Sequence, residues 1–433
     1  MIILGAGITG VAAGIASGFP VYEMAEAPGG ICSSYYVRSG ETQRLREPPA
    51  DGEAYRFEVG GGHWIFGGDS AILHFIRSLT PLQSYTRRSR VYFHDKELYV
   101  PFPLQYHLAH LGNDMAVKAL DEMLTSSRGT PEAMCDWVEQ SFGKTLTKLF
   151  FGPFHERYTA GLWARIAPQD AYKSPVDYSL ALQGAFDKVP PAGYNTTFVY
   201  PIEGLNTLAE RMAARCQVHY GKIVVRVDVK NKEVHFADGS SVSYKEVVST
   251  LPLNHMIRIA GLDLGVESDP YTSVLVLNIG AVRGPKCPGD HWLYIPDSCS
   301  GFHRVGFYSN VDTSFLPVSS RENADRVSIY VERAYRGGEK PSEEDIKVYS
   351  RSVVQELQEW GFIERVEVTD PTWIDVAYTW SWPGSKWKTR ALRALEEHGI
   401  HQVGRYGRWG FQGIADSVRD GFYVGQALRS NGL

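Results

Sequence analysis

The stretch that decides the fold is Met1-Ile2-Ile3-Leu4-Gly5-Ala6-Gly7-Ile8-Thr9-Gly10, with Pro20-Val21-Tyr22-Glu23-Met24 following it. Ile2-Ile3-Leu4 is a continuous apolar run, the pattern of a strand buried on both faces of a parallel sheet. Residues 8–17 are small and apolar and read as a helix. Residues 20–24 read as a second strand. The turn between the first strand and the helix is GxGxxG. Gly5 allows the tight turn, Gly7 lets the backbone approach a pyrophosphate, and Gly10 permits close helix–strand packing. The amides of the helix start, at Ile8 and Thr9, add the positive end of the helix dipole. Glu23 ends the second strand, where a carboxylate accepts hydrogen bonds from ribose hydroxyls. The alternative for Glu23 is a plain surface charge.

Outward from that segment, 433 residues exceed one simple core and predict two or three domains. A composition of 43% hydrophobic and 21% charged residues excludes a disordered chain or a coiled-coil rod. The net charge of −5, with no basic block, gives no electrostatic ground for nucleic acid. No run approaches the ~20 apolar residues of a membrane span. No signal peptide fits ahead of Gly5, and the five scattered cysteines form no CxxC pair. The expectation is a cytoplasmic protein with reduced thiols and no metal site. Glycine, at 43 residues, and aromatics, at 12%, are both abundant. The first suggests close backbone approaches; the second suggests either a large aromatic core or a site for flat rings and sugars.

Residues 105–190 are mostly helical in pattern. Strands return over 223–251, and 270–335 alternate as an antiparallel sheet. Helices are expected over 341–360, 387–398 and about 416–429. No linker or repeat separates these regions. The expected fold is α/β: a discontinuous Rossmann-like FAD-binding domain (1–75, 193–265, 385–433), an inserted helical domain (104–190), and an antiparallel β-sheet domain (76–103, 266–384).

FAD, rather than NAD, follows from further motifs. Gly29-Gly30 stands six residues after Glu23, an extension that resembles FAD proteins of the amine-oxidase and glutathione-reductase type. Gly60-Gly61-Gly62-His63-Trp64 is similar to the segment beneath the flavin ring in that superfamily. Gly404-Arg405 and the start of the last helix (Gly413, Ile414, Asp416, Ser417) match the segment holding the flavin's pyrophosphate and pyrimidine end. Val225 lies on the strand that commonly carries the adenine.

An ordered set of motifs along nearly the whole chain resembles the UDP-galactopyranose mutases, particularly their eukaryotic-like branch. They are Pro101-Phe102-Pro103-Leu104-Gln105, Tyr158-Thr159-Ala160-Gly161-Leu162-Trp163, Trp292-Leu293-Tyr294 with Phe302-His303-Arg304 and Ser309-Asn310, and Gly404-Arg405-Tyr406-Gly407. Thr197–Gly204 matches more weakly. The resemblance implies a nucleotide-sugar pyranose–furanose mutase. In that chemistry, N5 of reduced FAD attacks the anomeric carbon while the diphosphate leaves and returns. NADPH or NADH is the implied external reductant. The implied roles are Arg304 and Tyr158 on the phosphates, Gln105 toward the base, His63 beside the flavin, and Trp292, Tyr294, Trp163 and Asn310 around the sugar. Alternatives stand beside each: a surface ion pair for Arg304, a structural hydrogen bond for His63, and core packing for the tryptophans and Tyr294.

The chain departs from the family where Phe102, Val199, Phe411 and Trp382 occupy positions of polar or charged family residues. Each departure removes a group aimed at the diphosphate. Arg408 is the candidate to compensate. The competing expectation is an FAD oxidoreductase of amine-oxidase type acting on a small molecule.

Overall fold

The computed structural model describes residues 1–126, 129–169, 176–187 and 195–431. Ile2–Leu4 is the central strand of a five-stranded parallel sheet, ordered Val218–His219, Val21–Tyr22, Ile2–Leu4, Val247–Ser249 and Ile400–Gln402. Ile3 pairs with Val248 on one side and Val21 on the other. All three residues of the central strand are buried, as a sheet covered on both faces requires. The second strand is shorter than the sequence suggests, because only Val21 and Tyr22 find partners on both sides. The strands of this sheet are drawn from residues 2–22, 218–249 and 400–402.

The first helix (Ile8–Ser17) ends at Gly18, whose left-handed conformation (φ 77°) returns its N–H to the Gly14 carbonyl. Against it lies the last helix, which starts at Ile414, two residues earlier than expected, and runs to Asn431. Glycines set their spacing. A Cβ on Gly421 would lie 2.3 Å from the Thr9 carbonyl oxygen, and one on Gly425 2.6 Å from that of Ala13.

A seven-stranded, largely antiparallel sheet forms the second layer. Its order is Ile363–Thr379, Tyr271–Arg283, Arg326–Arg336, Arg304–Phe307, Trp292–Tyr294, Ser89–Phe93 and Leu98–Pro101. The helix Glu343–Glu359 starts with a capping box between Ser342 and Asp345. It covers one face of the sheet through Val353 and Leu357, packed with Leu275, Leu277 and Ile279. The other face, with Val274, Val276 and Tyr330, joins the core of the parallel-sheet region.

A third region is helical: Asn113–Thr125, Met134–Leu146, a π turn at Thr147–Phe151, Gly152–Tyr158 and Tyr178–Phe186. Leu120, Phe142 and Phe151 fill its core, and Trp380, just past the end of the strand Ile363–Thr379, enters it. The expected segment 76–103 divides. Leu82–Thr86 pairs with Thr197–Pro201, which also pairs with Ile65–Phe66, whereas 89–101 enters the large sheet. A small sheet therefore straddles two expected domains, and the expected boundary at 190–193 lies outside the described residues. Among the described residues no helix is long and apolar enough to cross a membrane.

Candidate active site

The GxGxxG turn forms an open cradle. A Cβ on Gly5 (φ 94°) would lie 2.2 Å from Thr250 Oγ1, and one on Gly10 1.9 Å from the Gly5 carbonyl. Those two glycines close the turn against the sheet. A Cβ on Gly7 would meet no atom within 4 Å. Gly7 is also the N-cap of the first helix and provides no side-chain cap. The space over Gly7 is therefore open at the positive helix end, where the first-turn amides of Ile8 and Thr9 have no intrahelical partner. Gly7 bridges to Gly29, and Gly30 (φ 57°) lies beside it. Glu23 is buried, its two carboxylate oxygens fixed by the amides of Ala6 (2.6 Å) and Ala25 (2.8 Å). A carboxylate has about four lone-pair sites, so acceptor capacity remains for ribose hydroxyls. Lys222 donates its amide to the Glu23 carbonyl (2.7 Å), which brings the strand Val224–Asp228 alongside. Val225 is half exposed there, at a bulge in the pairing.

The last helix completes the cradle. Gly404 (φ 75°) lies against Thr9, with a Cβ position 2.7 Å from Thr9 Oγ1, and its amide donates to Asp420 (2.8 Å). Arg405 reaches the Ala377 carbonyl (3.0 Å). Gly413, Ile414, Asp416 and Ser417 form the helix start, where Ser417 donates its amide to Gly413 and Asp416 pairs with Arg419 (2.8 Å). Gly61 and Gly62 press the adjoining loop onto the large sheet, with Cβ positions 2.9 Å from Glu332 Oε1 and 2.2 Å from the Tyr330 hydroxyl. Open amides at a helix start, a fixed carboxylate and a Cβ-free floor fit a dinucleotide with its diphosphate over Gly7.

Beside the cradle lies a cavity of about 180 Å³. Gly62, Trp64 and Phe66 line it from the loop, Trp292, Tyr294 and Arg304 from the large sheet, and Tyr158 from the helical region. Arg304 is gripped by Glu332, with Nε–Oε2 at 2.9 Å and Nη2 at 2.5 and 2.6 Å from the two carboxylate oxygens. Burial pushes the Glu332 carboxyl up, but Arg304 and His303 outweigh it and hold the group at about 2. Glu332 is thus an anion, and Arg304 remains a cation in the cavity lining. His303 Nε2 stands 3.6 Å from Glu332, while its Nδ1 is buried without a partner among the described residues. Burial pushes His303 down. Burial, with Arg405 next, holds His63 at about 4, so its ring is neutral. His63 Nδ1 faces the Gly61 carbonyl at 3.3 Å.

Several expected residues lie elsewhere. Asn310 spends its amide on the Pro288 and Asp290 carbonyls (2.8 and 2.7 Å) and holds a strand connection. Trp163 donates its indole N–H to Glu156 (2.7 Å) behind Tyr158. Trp382 donates to the Ser268 carbonyl (3.1 Å) and stacks on Arg165. Gln105 is buried outside the cavity lining, just past the Phe102-Pro103 peptide. Arg408 pairs with Asp420 (3.1 Å) at the cofactor end and does not reach the cavity. Val199 lies within its strand, paired with Ile65 and Ser84. Phe102 and Phe411 do line the cavity. Sequence reasoning missed Arg87, Phe154, His303, Tyr330, Tyr378 and Trp380, which also line it. Tyr330 had a signal, since it sits on the inward-facing alternation of Arg326–Arg336, and His303 stands inside the Phe302-His303-Arg304 motif next to Arg304; the others sit in no recognisable motif.

A dinucleotide cradle on a parallel sheet, opening into an aromatic cavity against a second sheet, defines a flavoprotein. Residues 19–424 match the family of flavin containing amine oxidoreductases, and the chain belongs to that family. The family implies FAD for the cradle. Among solved structures, reduced UDP-galactopyranose mutase is similar with a TM-score of 0.84 at 19% identity, covering 99% of this chain and 95% of that one. A putative protoporphyrinogen oxidase from Exiguobacterium sp. 255-15 gives 0.71 at 14% identity, covering 99% and 98%. Putrescine oxidase bound to putrescine gives 0.60 at 16%, with the same coverage. At these identities the likeness is one of fold.

Proposed function

We propose that this chain is a flavin-dependent sugar-ring mutase, acting on a hexopyranose whose anomeric carbon carries a nucleoside diphosphate. The observation that carries this reading is the charge of the cavity wall. Among the described lining residues the charged side chains are Arg87 and Arg304, and Glu332 is turned to Arg304 rather than to the cavity. Guanidinium donors with no carboxylate facing the cavity suit a phosphate leaving group and give the ammonium group of an amine substrate no anionic partner. Reduced FAD, when bound, supplies a nucleophilic N5 for the anomeric carbon, and NADPH or NADH is the proposed reductant. Arg304 holds the phosphate through a charge-assisted hydrogen bond from the part of its guanidinium that Glu332 does not take, and Glu332 fixes the guanidinium plane. The faces of Trp292, Tyr294 and Tyr158 flank the sugar and exclude water from the reacting carbon. At about 180 Å³, below the ~300–1,000 Å³ of a pocket that encloses a drug-sized ligand, the cavity takes the sugar and leaves the nucleotide outside.

The test is a panel of nucleotide sugars with reduced enzyme, the ring form of the product read by NMR. Ring interconversion without oxygen consumption is expected; steady peroxide production with an amine sinks the reading. Arg304→Lys retains the charge but cannot serve both Glu332 and a phosphate, and is expected to lower kcat/KM by about 10–100-fold.

A further inference from the structure

Glu58 is a titratable group that the proposed reaction leaves unused. It ends the strand Tyr55–Glu58 and precedes the Gly60–Gly62 loop. Its contacts place it between the two glycine segments that fit FAD. Its main-chain carbonyl accepts from the Gly61 amide (3.4 Å) and from Asn278 Nδ2 (3.0 Å). Its carboxyl accepts from Ser34 Oγ (2.8 Å), four residues past Gly30, and from the Tyr200 hydroxyl. The side chain is fully buried, and Oε2 has no hydrogen-bond partner among the described residues. None of the described groups facing it forms an ion pair with it. Burial pushes Cys32, Tyr36, Tyr200 and Tyr308 up, so all four stay neutral. Arg56 is the cation among the neighbours, with Asp312 beyond it. It turns Nη1 to the Ile202 carbonyl (3.1 Å) and Nη2 to Ser314 Oγ (3.0 Å) rather than to Glu58. A carboxylate buried without an ion pair is costly, so this one keeps its proton up to about 7. The charge of Glu58 also reaches the flavin end of the cradle. The Cys32 thiol is pushed up by Glu58 and down by Arg405, which follows Gly404.

Reduction of FAD by two electrons and one proton leaves the cofactor with one more negative charge. An added anion near a buried carboxyl raises that carboxyl's affinity for a proton. By linkage, the bound proton favours the reduced flavin to the same extent. We propose that Glu58 takes up a proton from solvent when the flavin is reduced and returns it when the flavin is oxidised, so that low pH holds the cofactor reduced. With NADPH or NADH as donor, the hydride carries both electrons and the flavin's hydrogen, and solvent supplies the second proton, which goes to Glu58. The coupling acts in a mutase and in an oxidase alike.

The test is an anaerobic potentiometric titration of the holoprotein from about pH 5 to pH 9, for the native chain and for Glu58→Gln. Each proton taken up per electron pair tilts the potential by about 30 mV per pH unit. The native chain is expected to be steeper than the variant, by up to that amount, in a window that opens near pH 7. At pH 5, where Glu58 is protonated in both redox states, the two lines are expected to run parallel. Parallel lines throughout overturn the proposal. Redox-difference infrared spectra read the proton directly. On reduction between pH 7 and 8, the carbonyl band of a protonated carboxyl is expected to grow in the native protein and to be missing in Glu58→Gln. Its absence from the native protein overturns the proposal, and so does a band that survives the substitution. Where Glu58→Gln fails to retain FAD, Tyr200→Phe serves instead. Losing the hydroxyl that favours the carboxylate is expected to move the window and the band to higher pH, and an unmoved window overturns the proposal.

Discussion

Glu58 is fully buried beneath the Gly60–Gly62 loop and accepts hydrogen bonds from Ser34 (2.8 Å) and Tyr200, while its Oε2 has no partner among the described residues. Burial pushes its carboxyl up to about 7, against 4.5 for an ordinary glutamate. The native protein therefore keeps a proton that the unfolded chain releases between pH 4.5 and 7. Stability falls as pH rises through that window, by an amount on the order of 3 kcal/mol once complete. Glu58→Gln keeps the acceptor oxygen and has no proton to lose. Urea unfolding at pH 5 and pH 8 is expected to show a smaller loss for the variant; equal losses refute the assignment. At this scale the sequence was legible where backbone geometry demands one residue type, as at Gly5, Gly7 and Gly10. It was poorly legible where only direction matters. Asn310 and Trp163 match a motif by type, and Trp382 stands at a position where the family has a polar residue, yet each turns its polar group to a structural partner, and nothing in a one-dimensional pattern records that turn.

The two glycine-rich helices allow an experiment on elements. Gly7→Ala puts a methyl group into the open cradle without touching protein, and its φ of −63° suits any residue. It is expected to leave the thermal midpoint of the flavin-free protein unchanged and to weaken FAD retention. Gly421→Ala drives a methyl group into the Thr9 carbonyl, which is backbone and cannot move aside. Its expected cost is about 1–3 kcal/mol even without flavin. If both variants lose stability equally, the cradle is not open as described. The first helix was legible because its small apolar residues and glycine turn are local signals. The π turn at Thr147–Phe151 and the left-handed Gly143 (φ 74°) were not, since both arise from packing within the helical region.

At the scale of the whole molecule, the parallel sheet joins strands 245 residues apart at Ile2↔Val247, with Val247 in turn beside Ile400. Ile2–Leu4, Val21–Tyr22 and Val247–Ser249 were visible as apolar runs; Val218–His219 and Ile400–Gln402 were not, and neither was the strand order, because pairing over such distances depends on the rest of the fold. The small sheet linking Ile65–Phe66, Leu82–Thr86 and Thr197–Pro201 was missed for the same reason. Removing residues 414–433 strips the first helix of its partner and uncovers Val11, Ala12 and Ala13. The shortened chain is expected to be recovered without flavin and to aggregate; a soluble yellow product contradicts this packing.

The meeting of first and last helices also sets a clock. The ribosome makes the Gly5–Gly10 turn long before the helix that completes the diphosphate site, which begins at Ile414. At ~5–20 residues per second, roughly 20–80 seconds pass between the two. Throughout that interval the nascent chain holds half a binding site. Cofactor capture thus waits for the last helix, whose start closes the site the first helix opens.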